Sequence, residues 1–142
     1  MNIQKFYFIA KCVLINEDNK ILILKRTDYK KNGTGDLWDF LGGSVDLDEE
    51  VNVAIKREAR EEIQVELEEV IPFHIDSGAE EHNSQYVFVI FYSKNYNSKN
   101  GIKLSNEHCE YKWISVDEID EYKYYLKEGR LNAIKLFLKG LK

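Results

Sequence analysis

The sequence predicts an α+β fold: an α/β/α sandwich with a mixed sheet between a central glutamate-rich helix and a C-terminal helix. Three observations predict it. Apolar residues recur at helical spacing in two places, Val51, Ala54, Ile55 and Ala59 in the first and Leu131, Ile134, Phe137, Leu138 and Leu141 in the second. Runs rich in β-branched and aromatic residues fill the stretches before and between them. The order that results is strands, helix, strands, helix. The chain of 142 residues has the length of one domain, 1–142, and is long enough for a proper core.

Taken in order, residues 6–15 read as a strand, 16–19 as a turn and 21–24 as a second strand, so that 6–26 form a hairpin. Residues 27–35 read as a polar loop whose Lys30 and Lys31 are candidates to meet substrate phosphates. Residues 37–40 form a short strand delivering Gly42 and Gly43, where the backbone must turn tightly and pass close to a ligand. Asp48 is the expected N-cap of the first helix. A strand is expected around 71–75, and Pro72 makes it an edge or bulged strand. Residues 78–84 read as an acidic loop and 85–93 as a central strand buried on both faces. Residues 95–101 read as a loop, 103–105 as a short strand, 111–115 as the last strand, 116–122 as a short helix and 127–141 as the final helix.

Composition narrows the function classes. The net charge of −5 argues against a nucleic-acid surface, and no stable nucleic-acid complex is expected. No apolar run approaches the roughly 20 residues that span a membrane. Lys11 interrupts the short N-terminal apolar run, so no signal-peptide layout is present. Cys12 and Cys109 read as reduced thiols of a cytoplasmic protein.

The chemistry concentrates in residues 42–65, a glycine turn followed by a helix. At 100° per residue, Glu58 and Glu62 point within roughly 20° of the centre of the apolar stripe, and Glu61 lies to one side. The inner face therefore begins apolar and ends in carboxylates. Glutamates at i, i+3 and i+4 repel one another, and in the second half of a helix the macrodipole disfavours them. Cations that gather the carboxylates would remove that cost. EAREE alone is an ordinary solvated face. Here Gly43, Glu49, Arg57, Glu58, Glu61 and Glu62 fall in the spacing G-x5-E-x7-R-E-x-x-E-E, and a chance match somewhere in a chain of this composition is on the order of a few in 100,000.

This spacing resembles the Nudix box of the Nudix hydrolases, G-x5-E-x7-R-E-U-x-E-E-x-G-U with U apolar, and Ala59 and Val65 fill the two apolar positions. The resemblance covers residues 43–65. It departs at Gln64, where the family has a glycine suited to a left-handed C-cap. A glutamine there costs about 1 kcal/mol, or the helix ends differently. It departs again at Leu41, where family members often have proline, and the turn and nearby pocket are affected.

Clustered carboxylates are hard oxygen ligands that suit Mg²⁺ or Mn²⁺. Zinc would want His and Cys, and His74, His82 and His108 show no ligand spacing. The resemblance implies hydrolysis of a diphosphate linkage in a small-molecule nucleoside diphosphate derivative, by attack of water on phosphorus. It implies that Glu58, Glu61, Glu62 and the carbonyl of Gly42 hold metal, and that Glu58 or Glu62 is the general base. It implies that Arg57 orients Glu49 or Glu61, and that Gly43 and Glu49 support the site. The family layout places a glutamate on the loop before the last strand; Glu107 is the expected further ligand or base, with Glu110 next, and His108 is expected at the surface. Phe6, Phe8, Trp38, Tyr86 and Phe88 are candidate base-stacking residues, and Trp38 and Phe40 join Lys30 and Lys31 as candidate substrate contacts. Two rivals stay open: a catalytically inactive nucleotide-sensing module of the same fold, and a non-hydrolytic enzyme such as a diphosphate isomerase, for which neither Cys12 nor Cys109 has a supporting motif. A homodimer also stays open.

Overall fold

The computed structural model of the chain describes residues 5–27, 35–81 and 83–141. In chain order its elements are β1 (Lys5–Leu14), β2 (Ile21–Arg26), β3 (Trp38–Asp39), β4 (Leu41–Ser44), α1 (Val51–Ile63), β5 (Glu66–Glu81), β6 (Ser84–Asn97) and β7 (His108–Ile114). A 3₁₀ helix (Val116–Glu121) and α2 (Glu128–Gly140) follow. The strands divide between a mixed sheet, β4-β1-β6-β5, with β1 and β6 parallel, and an antiparallel sheet, β3-β2-β7.

The period-2 alternation of the central strands produces the sandwich. Ala10, Cys12 and Leu14 of β1 and Leu22 and Leu24 of β2 face a core that Ile55, Ala59 and Ile63 of α1 close. Val13 of β1 and Ile21 and Ile23 of β2 face the opposite way, into a core that Ile134 and Leu138 of α2 close. The expected α+β sandwich between two helices is the observed one. The stripe expected on α2 packs as core, with Leu131, Phe137 and Leu141 against the same cluster.

Several local expectations need correction. Residues 6–26 are not a hairpin: β1 is paired on both edges, to β4 and to β6, which leaves no edge for β2. The two strands share only the isolated Ile15–Ile21 bridge, after a turn in which Asn16 Oδ1 accepts from the N–H groups of Asp18 and Lys20. Most of the expected acidic loop at 78–84 is strand: residues 78–81 end β5 and Ser84 begins β6, with Gly78 and Ala79 paired to Tyr86 and Gln85 in the β5–β6 ladder. β5 is an edge strand, so its polar outward side chains are solvated without breaking it. The register shifts beside Pro72, as expected for proline on an edge. β6 also runs further than 93, to Asn97.

Residues 103–105 form no strand. The N–H groups of Lys103 and Ser105 donate to the carbonyls of Ile63 (3.1 Å) and Glu62 (3.0 Å), satisfying orphan acceptors at the C-terminal end of α1. Asp48 is not the N-cap of α1. That position is Glu50, while Asp48 sits at φ 64° in the preceding turn. Gln64 takes the left-handed conformation, φ 57° and ψ 41°, in which a glycine would be free of strain; its N–H donates to Arg60 at 3.2 Å.

Candidate active site

A cleft of about 610 Å³ opens at the end of α1 where the glycine turn, β1 and the 105–108 loop meet. Glu58, Glu62, Gly42, Gly43 and Glu107 line it. Gly42 has φ 133°, and a Cβ there would collide with the Ala10 carbonyl on the neighbouring strand, so only glycine fits. A Cβ on Gly43 would stand 2.8 Å from Glu58 Oε1, so this second glycine leaves the room that the Glu58 carboxylate occupies. Leu41, at the departure from the family pattern, is buried in the β4 ladder opposite Cys12.

The three box glutamates have different environments. Glu62 is 4% exposed, and its Oε1 accepts from the Gly42 N–H at 2.7 Å. Burial pushes its carboxyl up to about 8. Burial also raises Glu58 above the ordinary carboxylate range, against the lowering effect of Arg57. Glu61 does not line the cleft. Its side chain is 58% exposed, and it accepts from Arg57 Nη1 at 3.1 Å.

Arg57 gathers the supporting residues. It donates to both oxygens of Glu49, at 2.7 and 3.0 Å, to Glu58 at 3.2 Å and to the Ser44 carbonyl at 2.9 Å. The expectation left Glu49 and Glu61 as alternatives for Arg57, and the structure pairs it with both. Glu49 is held low, at about 2, by the Arg57 hydrogen bond.

Glu107 lines the cleft. Glu110 lies along β7 with its carboxylate 4.0 Å from Lys25 Nζ. His108 corrects the sequence reading: it is 6% exposed, not at the surface, and lines the cleft beside Glu107. Its Nδ1 is 4.0 Å from Glu62 Oε2, and burial lowers the imidazole to about 4. Ligand atoms of Glu62, Glu107 and His108 lie within 4.8 Å of one another. Adjacency to Glu107 before a strand was the signal available for it.

Lys11 was legible only as a break in an apolar run. It is buried in β1 with its ammonium on Asp39 Oδ2 at 3.0 Å and on the carbonyls of Gly42 (3.2 Å) and Phe40 (3.4 Å). Burial opposes its charge, but the Asp39 and Glu62 carboxylates outweigh that and raise its pKa. Arg26 shares Asp39, at 3.4 Å, and its guanidinium lies 4.0 Å from the centre of the Tyr125 ring at the mouth of the cleft.

Trp38 and Phe40 are core residues rather than substrate contacts. Trp38 packs edge-on against Tyr122 and Phe40 stacks on Tyr124, because both face the α2 side. Among the candidate stackers, Tyr86 and Phe88 line the cleft, whereas Phe6 and Phe8 are exposed elsewhere on β1. Lys30 and Lys31 lie outside the described residues. Among the described residues, Arg26, Lys127 and Arg130 bring cations to the cleft, with the Arg130 guanidinium 3.6 Å from the Phe88 ring centre and bonded to Asp76 at 2.8 Å.

An α/β/α sandwich with Glu58 and the buried Glu62 at one helix end, facing a tight glycine turn and a cleft lined by cations, acids and aromatic rings, defines a class of enzymes that work on phosphoric anhydrides. Residues 8–137 match the NUDIX domain, and the chain belongs to the Nudix hydrolase family. Nucleoside triphosphatase NudI of Escherichia coli strain SE11 is 28% identical over 123 residues, covering 78% of this chain and 84% of that protein. NudI of E. coli O17:K52:H18 is 26% identical over 119 residues, with the same coverage of 78% and 84%. The E. coli ORF135 protein shares the fold at a TM-score of 0.78 and 21% identity, over 96% of this chain and 91% of that one. MutT protein from Methanosarcina mazei Go1 shares it at a TM-score of 0.73 and 22% identity, over 99% and 95%. As a Nudix pyrophosphohydrolase the chain hydrolyses nucleoside diphosphate derivatives, and enzymes of this family generally use divalent metals. No helix among the described residues is long and apolar enough to cross a membrane.

Proposed function

We propose that this protein is a Mg²⁺- or Mn²⁺-dependent hydrolase that cleaves the diphosphate linkage of a nucleoside diphosphate derivative by attack of water on phosphorus. One observation carries the reading: the carboxylates of Glu58 and Glu62 are enclosed in one cleft with the Gly42 turn and Glu107. The donor set fits a hard divalent cation. Two carboxylates are pushed toward protonation by burial, a cost that a bound dication reverses. Glu58, Glu62, Glu107 and the Gly42 carbonyl would hold it. That carbonyl accepts from Lys11 with one lone pair and has a second to offer. Glu61, outside the cleft lining, is assigned to the rim of the site.

When bound, the cation acidifies a water and offsets phosphate charge. The chain's own residues do the rest. Glu58 or Glu62 takes the proton of the attacking water. Arg57 fixes the Glu58 carboxylate. Arg26 and Lys127 face the phosphates, and Tyr86, Phe88 and Tyr125 offer apolar faces to the nucleoside. We read residues 1–142 as one such domain. Cytoplasmic action is supported by the unpaired thiols of Cys12 and Cys109.

The test is a panel of nucleoside triphosphates, nucleotide sugars, ADP-ribose and dinucleoside polyphosphates, with Mg²⁺ or with EDTA, in ¹⁸O-labelled water. The NudI relatives put nucleoside triphosphates first in that panel. The expected outcome is Mg²⁺-dependent release of a phosphate product carrying ¹⁸O, reduced about 1000-fold or more in Glu58→Gln and Glu62→Gln. Full activity in EDTA would sink the metal assignment. Tight nucleotide binding without turnover across the panel would favour the sensing module.

A further inference from the structure

We infer that His108 is a metal ligand, so that Glu62, Glu107 and His108 together form a mixed oxygen and nitrogen cation position on the His108 side of Glu62. The inference rests on the reading of the cleft as a cation site and adds to it a nitrogen donor and a preference among metals.

The two oxygens of Glu62 point to different neighbours. Oε1 is engaged by the Gly42 N–H, while Oε2 is 4.0 Å from His108 Nδ1. A pair at 4.0 Å is too far apart to hydrogen bond. Two ligands on one ion with bonds near 2.1 Å stand about 3.0 Å apart when adjacent and about 4.2 Å apart when opposite. The Glu62–His108 pair falls inside that span; the Glu107 carboxylate belongs to a looser group, with ligand atoms within 4.8 Å of one another, and its exposed side chain would close on a bound ion.

A second observation is independent of the acidic cluster. His108 has a side chain 4% exposed, and its Nδ1 is buried with no hydrogen-bond partner among the described residues. A buried nitrogen with no partner is costly, and most such atoms are satisfied by protein, water or an ion. Backbone contacts fix the main chain that carries the ring at the cleft. The His108 N–H donates to the Ser105 carbonyl at 3.3 Å, and His108 pairs with Arg26 in the β2–β7 ladder. The nearby cations Lys11 and Arg26 are both held on Asp39 Oδ2, which limits their opposition to a dication here.

Imidazole shifts preference away from Mg²⁺ toward Mn²⁺, Co²⁺ and Zn²⁺, which accept nitrogen readily. The wild-type full-length protein should bind Mn²⁺ and show ¹⁴N modulation in its Mn²⁺ electron spin-echo spectrum, and the modulation should disappear in His108→Gln. The Mn²⁺ and Co²⁺ dissociation constants should rise at least tenfold in His108→Gln, with Mg²⁺ moved less than about threefold. Wild-type protein that binds Mn²⁺ without ¹⁴N modulation would overturn the nitrogen ligand and leave the cleft reading standing, even if the variant failed to fold. Equal changes for all three metals would also overturn the preference. Wild-type protein that binds neither Mn²⁺ nor Mg²⁺ would overturn both.

Discussion

Arg57 grips Glu49 with two parallel N–H···O bonds, Nε to Oε2 at 2.7 Å and Nη2 to Oε1 at 3.0 Å. The fork leaves Nη1 aimed at Glu58 and Glu61. Glu49 therefore anchors the arginine, and the arginine orients a carboxylate of the cleft. Lysine has the charge but not the fork. Arg57→Lys is expected to lower kcat about 10- to 100-fold with KM little changed. Glu49→Gln should act through the same contact, so the double variant should be scarcely worse than either single one. Steady-state kinetics of the three variants decide this, and fully additive losses would show that Glu49 acts independently of Arg57.

Glu62 makes the metal-free protein sensitive to pH. Its carboxyl titrates near 8 in the folded chain, above the ordinary 4.5. Between about pH 5 and 8 the folded protein keeps a proton that the unfolded chain has released, so the folded state loses stability as pH rises through that window. In EDTA the melting temperature should fall from pH 5 to pH 8, and Glu62→Gln should flatten the fall and melt higher at pH 8. Millimolar Mg²⁺ should raise the wild-type melting temperature more at pH 8 than at pH 6, because it competes with the proton at Glu62. A wild-type melting temperature unmoved by pH in EDTA, or by Mg²⁺ at pH 8, would count against this account.

The sandwich was legible because its signals are periodic: two helical stripes and alternating strands each repeat a pattern several times. The placing of Glu58 and Glu62 on the inner face of the helix was legible for the same reason, since i and i+4 share a face, whereas Glu61 lies to one side and is exposed. Single buried polar residues carry no period. Lys11 and His108 show their place only once β1 is set beside the glycine turn and β7 beside β2. Strand pairing was the other blind spot. Residues 6–26 have the local look of a hairpin, but which edges are free depends on β4 and β6, which are distant in sequence. Trp38 and Phe40 alternate with Asp39 and both face the α2 core, but which side of so short a strand is inward depends on Tyr122 and Tyr124, which are distant in sequence.

Glu107 and Glu110 are three residues apart and differ in what surrounds them. Glu107 lines the cleft beside His108, on a loop tied down at both ends. Ser105 bonds the carbonyl of Glu62 at the end of α1, and the Glu107 carbonyl accepts from the Thr27 N–H at 2.9 Å. Its position thus depends on backbone contacts that a side-chain change leaves in place, so its part should be kinetic rather than structural. Glu110 is exposed on β7 beside Lys25, in the geometry of a surface pair that contributes little. Glu107→Gln is expected to lower kcat roughly 10- to 1000-fold with the melting temperature of the metal-free protein nearly unchanged. Glu110→Gln should leave kcat within about threefold. Parallel kinetics and thermal melts of the two variants test the assignment, and equal losses, or a larger loss in Glu110→Gln, would place the working carboxylate on the strand rather than on the loop.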